Sequence, residues 1–485
     1  MTEPSTPAPL ADSLRSYAEG EVASFHMPGH KQQSPSALAE STLGSEVWRH
    51  DVSEMGGFDY LHAPSAAMAE AQEAAAASFG AGRTFFLVGG STVGNLASFI
   101  AHAGDGDHVA VLRSSHRSVY AGIVLSGALP HYLPVAHDAV EDGWFLADPA
   151  AASADLPDRL AVVHVTRPNY YGMACDLAPY RRLADRTGAV LVVDEAHGSH
   201  FGFHPAFPAS ALDGGADVVI QSTHKTLRAL TQASMLHVRP GFDATRLERA
   251  LPMLQSSSPS SLLTVSLDLA RAELDQSADQ LFAGLEALAA SARTAIHRLD
   301  GFRVVDLRRD GVSVDPAKLV IDVSGRGWSG FAASKWLREN ARIWIELADF
   351  RRIVCSLSFG DDDASIDLLL SALDRLHAAR PPGPVSDSLL GSSLGSSLGS
   401  LPIPPQRVPP RNALNAGVET VSADDACDRT CAEYLIPYPP GIPLVVPGEQ
   451  LTREVLHALH SFRSAGSTIV GPHDRTGSTI RVTTG

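Results

Sequence analysis

At 485 residues the chain is longer than one hydrophobic core usually organises, so two or three domains are expected. Its 44% hydrophobic and 19% charged residues suit a soluble globular enzyme, and a formal net charge of -16 argues against a nucleic-acid or anionic-membrane surface as the main partner. The N-terminal residues carry no apolar signal core and no stretch is apolar enough to span a bilayer, so a cytoplasmic protein is expected; four cysteines are too few for a disulfide scaffold.

In chain order, a helical pattern occupies residues 10–20. The turn Ser24-Phe25-His26-Met27-Pro28-Gly29-His30-Lys31 follows, and its histidines suit a turn as well as a site. Residues 51–64 read as a loop around Gly56-Gly57 and contain Glu54, Asp59 and His62. Residues 65–79 are alanine-rich and helical. The run from Arg83 to Asn95 then passes from strand to helix through Gly89 and Gly90, with Ser91 and Thr92 capping a helix over 93–102. Amides and hydroxyls at such a helix start suit a phosphate, although similar turns cap helices that bind nothing.

Strand and helix patterns alternate from there. Strands are expected over 107–113, 131–134, 160–166, 190–194, 217–220 and 233–238, with helices over 118–126 and 177–187 between them. This alternation predicts an α/β unit with a mainly parallel sheet and helices on both faces. Residues 259–299 form a long helical stretch, and 300–380 hold strand patterns (302–306, 318–322, 343–346, 352–359) and two helices (328–340, 365–379). The expected organisation is an N-terminal segment (1–64), a large domain (65–298), a small α+β domain (299–380), a flexible low-complexity linker (381–406) and a C-terminal module (407–485).

Two strand ends carry chemistry. The buried run Val190-Leu-Val-Val ends in Asp194, followed by Glu195, Ala196 and His197. The run Asp217-Val-Val-Ile220 leads to Ser222-Thr223-His224-Lys225. One crossover between them brings an amine and a carboxylate to one sheet edge, where ligands of open α/β folds bind. That pairing suits pyridoxal phosphate (PLP): the lysine forms a Schiff base and the aspartate keeps the pyridine nitrogen protonated. Asp194 needs a partner at the end of so apolar a strand, whereas His197 and His200 also suit core histidines. The spacing of His26, His30, Glu195 and His197 is unlike a zinc site, so no metal is expected.

Five stretches in order, Phe25–Lys31, Phe85–Asn95, Asp194–His200, Ser222–Lys225 and Tyr438–Pro443, make the chain resemble the prokaryotic Orn/Lys/Arg decarboxylase family of fold-type I PLP enzymes, in its short form without an N-terminal wing domain. The resemblance implies an aspartate-aminotransferase-like fold with a mainly parallel seven-stranded sheet and smaller C-terminal α+β parts. It implies a homodimer or higher homo-oligomer that decarboxylates a basic amino acid, arginine or lysine ahead of ornithine, to the amine and carbon dioxide. Aminotransferase or other α-carbon chemistry on the same fold is the alternative. The implied roles are Schiff-base formation for Lys225, the pyridine nitrogen for Asp194, ring stacking for His116 and a place beside the cofactor for His197. Gly90, Ser91, Thr92, Ser222 and His224 would form the phosphate site, with Ser258 completing it across the dimer. An acidic pocket for a basic side chain has Asp59, Glu54, Glu346 and Glu449 as candidates. Two features depart from the pattern: Arg228, a cation near the cofactor loop, and the Gly-Ser-Ser-Leu repeat before the last module.

Overall fold

The computed structural model describes residues 8–20, 23–54, 58–138, 143–147, 156–381, 403–438, 441–464 and 466–484. Most of the low-complexity linker (382–402), Gly56-Gly57 and Pro439-Pro440 lie outside the described residues.

The centre is a seven-stranded sheet of β1 (Arg83–Leu87), β2 (His108–Leu112), β3 (Leu129–Leu133), β4 (Val162–Thr166), β5 (Val190–Asp194), β6 (Val218–Gln221) and β7 (Ser234–Val238). Their order across the sheet is β1-β7-β6-β5-β4-β2-β3. Only β7 runs against its neighbours; the β6-β5-β4-β2-β3 pairings are parallel. Valine-rich β4, β5 and β6 are buried on both faces, which is why their sequences read as continuous apolar runs rather than alternating ones. One face packs on α1 (Gly90–His102), α2 (Arg117–Ser126) and the helix Thr245–Leu254 through Ala97, Phe99, Ile123 and Leu247. The other packs on Ala178–Thr187 through Tyr180, Leu183 and Ala184.

Gly94 sets how closely α1 approaches the sheet. A Cβ there would stand 2.7 Å from Ile220 Cγ2 and 3.1 Å from Leu87 Cδ1. The missing side chain lets the next residue, Asn95, reach the ends of the parallel strands.

The long helix α3 (Ser261–Ile296) runs from the large sheet to a four-stranded antiparallel sheet, with Phe282, Leu285, Ala289 and Ile296 in a core shared with Leu319, Ile321, Ile353, Leu373 and Leu376. A strap returns from the small sheet to the large unit: Val312–Val314 pairs antiparallel with Met173–Cys175, and Tyr171 Oη donates to Asp349 Oδ2 at 2.9 Å. Residues 403–484 form a further module. Strand pairs Val418–Ser422/Thr479–Thr483 and Ile436–Tyr438/Thr468–Val470 and the helix Arg453–Ser464 enclose Leu435, Val445, Leu451, Val455 and Leu459.

Three expectations change. The helix expected over 328–340 is α-helical only over Gly330–Trp336. It widens into a π turn, Leu337–Ala341, and ends where Arg342 turns left-handed (φ 56). The strand expected over 343–346 pairs instead at Leu347–Ala348. Helix α1 starts at Gly90, so Ser91 and Thr92 lie in its first turn and do not cap it; Gly90 (φ 71) makes the sharp entry from β1.

Candidate active site

Because β2, β4, β5 and β6 are parallel, their C-terminal ends meet at one edge. His116 lies just past β2 at the start of α2, Thr166 ends β4 and Asp194 ends β5. Lys225 sits in the turn Thr223–Thr226 after β6. Together with Ser91 and His197 they line a cleft with about 350 Å³ of empty space, completed by Pro168, Tyr170 and Ala196.

Lys225 Nζ is 3.0 Å from His197 Nε2. Burial and the neighbouring Lys225 and Lys318 hold the His197 pKa well below its ordinary value, so the ring is neutral and Nε2 accepts from Lys225 Nζ. Lys225 itself is open to the cleft, yet the protein packed around it lowers its pKa. Asp194 and Glu346 oppose that shift, and Lys318 adds to it.

Asp194 is almost wholly buried. Its Oδ1 accepts from the Ala196 amide (3.1 Å) and its Oδ2 from Asn95 Nδ2 (2.9 Å). Asn95 is the junction of a longer network. Its Nδ2 also donates to Ser118 Oγ at 2.9 Å, and its Oδ1 is 3.1 Å from His164 Nε2. Burial lowers the His164 pKa to about 4, so this ring is neutral and donates from Nε2. The Ser118 amide donates to His116 Nδ1 (3.2 Å) and the Ser118 hydroxyl lies 2.8 Å from the same atom. Nδ1 is therefore the acceptor and His116 carries its proton on Nε2. Burial first, then Lys225 and Arg117, depress the His116 pKa against the pull of Asp194.

At the other end of the cleft Ser222 Oγ donates to Ser91 Oγ at 2.8 Å, in the first turn of α1, where amides have no partner within the helix. The residues fit PLP. A lysine amine and a carboxylate face one cleft, hydroxyls gather at a helix start, and two buried polar atoms beside them, His197 Nδ1 and Thr223 Oγ1, have no hydrogen-bond partner in the protein.

Other expected residues do not themselves line the cleft. Thr92 is exposed on the first turn of α1. His224 is half-buried, with Nδ1 2.8 Å from the Ala233 carbonyl oxygen. Ser258 is exposed in a separate loop, where its hydroxyl meets Ser256. Among the acids, Glu346 is exposed and its charge acts on both Lys225 and Lys318. Glu54, a further candidate, does not line the cleft. Two expectations are corrected. Asp59 holds a helix start: its carboxylate accepts from the amides of Ala66 (2.8 Å), Met68 (2.9 Å) and Ser65. Burial opposes its charge, but these amides outweigh it and lower its pKa. Glu449 is completely buried against Arg113, two oxygens on two nitrogens at 2.7 and 3.0 Å, and does not face the cleft. Arg228 points away from the cofactor loop, bonding Glu273 at 2.7 Å and the Phe359 carbonyl.

Sequence reasoning missed Asn95, His164, Thr166 and Tyr170. Asn95 closes one of the quoted stretches, and Thr166 ends a strand beside Asp194, so their positions were the available signal.

Among the described residues no three His, Cys, Asp or Glu are placed to hold a metal ion, and no helix is long and apolar enough to cross a membrane. Residues 8–310 match the family description "Orn/Lys/Arg decarboxylase, major domain", and residues 403–474 match the C-terminal domain of the same family. The chain is 35% identical to an arginine decarboxylase of Halalkalibacterium halodurans over 98% of its own length and 97% of the relative's. It is 34% identical to the arginine decarboxylase of Bacillus subtilis over the same shares. The lysine decarboxylase of Francisella novicida superposes with a TM-score of 0.83 at 22% identity, over 98% of this chain and 81% of that one, and so shares the fold. With the major-domain match covering most of the chain and a cleft that fits the family's cofactor, the protein belongs to the Orn/Lys/Arg decarboxylase family and is an amino acid decarboxylase.

Proposed function

We propose that the protein is a PLP-dependent decarboxylase of a basic amino acid, with arginine as the preferred substrate, lysine next and ornithine third. The observation that carries the reading is the convergence of Lys225, Asp194, His116 and His197 on one cleft in a chain of this family. Arginine is preferred because the two relatives at 34–35% identity are named arginine decarboxylases.

Bound in the cleft, PLP would supply the electron sink for the bond to the departing carboxylate. The chain supplies the rest. Lys225 is the covalent anchor, and its lowered pKa favours the neutral, nucleophilic amine. Nζ, held against His197 Nε2, would also be placed to move a proton. Asp194 holds a negative charge at the buried end of the cleft, turned by Asn95 and the Ala196 amide, and keeps a proton on the ring nitrogen. His116, neutral and fixed by Ser118, offers a flat face to the ring. Ser91 and Ser222, with Gly90, Thr92 and His224 around them, bind the phosphate at the start of α1. Ser258 reaches the same phosphate from a second copy in a homodimer, consistent with its exposure in its own chain. Glu346 receives the distal cation: a guanidinium takes a carboxylate in two-point contact, which favours arginine. The enzyme works in the cytoplasm, where its product feeds polyamine synthesis.

The test is carbon dioxide release from PLP-loaded protein given arginine, lysine and ornithine separately. Release from arginine with the matching amine, and loss of the cofactor's visible band in Lys225→Ala, are expected. A keto acid formed without carbon dioxide would reject the reading.

A further inference from the structure

Arg113 and Glu449 form a buried ion pair between parts of the chain more than three hundred residues apart. Arg113 immediately follows β2, with 1% of its side chain exposed; Glu449 belongs to the module of residues 403–484 and has 0% exposed. Arg113 Nη1 donates to Glu449 Oε1 at 2.7 Å and Nη2 to Oε2 at 3.0 Å, and Nη2 also donates to the Leu444 carbonyl at 2.8 Å. The guanidinium stands 4.9 Å from the centre of the Tyr132 ring. On the module's side Glu449 is itself held, because the Val446 amide donates to Oε2 (2.9 Å) and the Cys431 amide to its carbonyl (2.8 Å).

The Arg113 backbone is fixed as firmly. Its amide donates to the Leu133 carbonyl (2.9 Å), and its carbonyl accepts from Tyr120 Oη (2.6 Å), one turn into α2. The Ser115 amide closes back on the Leu112 carbonyl (3.0 Å), so a single tight turn joins Arg113 to His116. A side chain clamped from the C-terminal module thus sets the second residue of the turn that presents the His116 ring to the cleft.

We propose that Glu449 is a positioning residue for the cofactor: through Arg113 the C-terminal module fixes the His116 face, so the Arg113–Glu449 contact, rather than docking of the module in general, sets cofactor affinity. This rests on the PLP reading above. Shape alone would not require it. The module has a second tether, Arg411, which bonds the Val124 carbonyl (2.8 Å), the Leu125 carbonyl and Asp105 (3.2 Å) at the far end of α2, away from His116.

The two tethers make the test. Full-length wild type, Glu449→Gln, Glu449→Asp and Arg411→Ala are titrated with PLP, reading the dissociation constant and the circular dichroism of the bound cofactor. Glu449→Gln leaves the buried guanidinium without its counter-charge and should weaken PLP binding about tenfold, equivalent to about 1.4 kcal/mol, and alter the cofactor's dichroism. Glu449→Asp keeps the charge on a shorter arm and should fall between; it carries the test if the glutamine variant does not fold. Arg411→Ala should keep wild-type affinity and dichroism. Wild-type behaviour in both Glu449 variants, or equal weakening in Arg411→Ala, overturns the proposal while leaving the PLP reading intact. Failure of wild type to bind PLP at all overturns the reading and the proposal with it.

Discussion

Asn95 is the junction whose removal tests the site most directly. It is fully buried and serves three groups that are themselves buried: Asp194, Ser118 and His164. Asn95→Ala would leave the His164 Nε2–H without an acceptor, on a ring whose Nδ1 already has no partner. An unpaired buried donor costs about 1–3 kcal/mol, and loss of a bond to the charged Asp194 about 1.5–3 kcal/mol. Ser118 keeps its contact with His116 and loses less. The sum is about 4 kcal/mol, a large part of the roughly 5–15 kcal/mol that holds a domain folded. Equilibrium urea unfolding of the cofactor-free protein should show the loss as a lower midpoint at unchanged slope. Cofactor affinity should fall as well, because Asp194 is left with the Ala196 amide to orient it. A stability loss below about 1 kcal/mol would refute the energetic argument. A full loss of stability with unchanged cofactor affinity would refute the claim that Asn95 orients Asp194.

Acid should destabilise the fold through buried neutral histidines. Burial lowers the His237 pKa to about 3, with its ring between Thr84 Oγ1 (2.8 Å) and Gln221 Oε1 (3.1 Å). The unfolded chain therefore binds this proton near pH 6.5 and the folded one does not, so the stability is present above pH 6.5 and is lost as pH falls towards 3. Between pH 7 and 5 the loss is about 2 kcal/mol for this residue, and His237→Gln should remove it from the pH dependence measured by urea unfolding. Glu346→Ala should raise KM for the basic substrate about fivefold with kcat little changed, since an exposed ion pair contributes up to about 1 kcal/mol; an equal fall in kcat at constant KM would place Glu346 outside substrate binding.

What was legible in the sequence, and what was not, follows from how local each signal is. Strands β4, β5 and β6 announce themselves because burial on both faces makes them predominantly apolar, and their ends mark the edge where Asp194 and Lys225 meet. The Val312–Val314 and Met173–Cys175 pairing was not legible, since three-residue strands carry no periodicity and their partner is chosen by the docking of the small sheet. Asn95 was visible as a residue but not as a junction, because its three partners come from two strands and a helix that approach one another only once Gly94 has let α1 settle on Ile220. The acids show the limit most clearly. Asp59, Glu346 and Glu449 are alike on paper, each a carboxylate near a glycine, a tryptophan or a proline. What separates them is the nearest partner: helix amides for Asp59, the Arg113 guanidinium for Glu449, and for Glu346 an exposed position whose charge acts on Lys225 and Lys318. A buried carboxylate must find donors within its own fold, so the acid left for a substrate is the one the fold does not consume. Asp59 and Glu449 are consumed by the scaffold, whereas the charge of Glu346 acts on Lys225, so Glu346 and Glu449 should respond in opposite ways: Glu346→Ala in substrate KM with cofactor affinity kept, Glu449→Gln in cofactor affinity first.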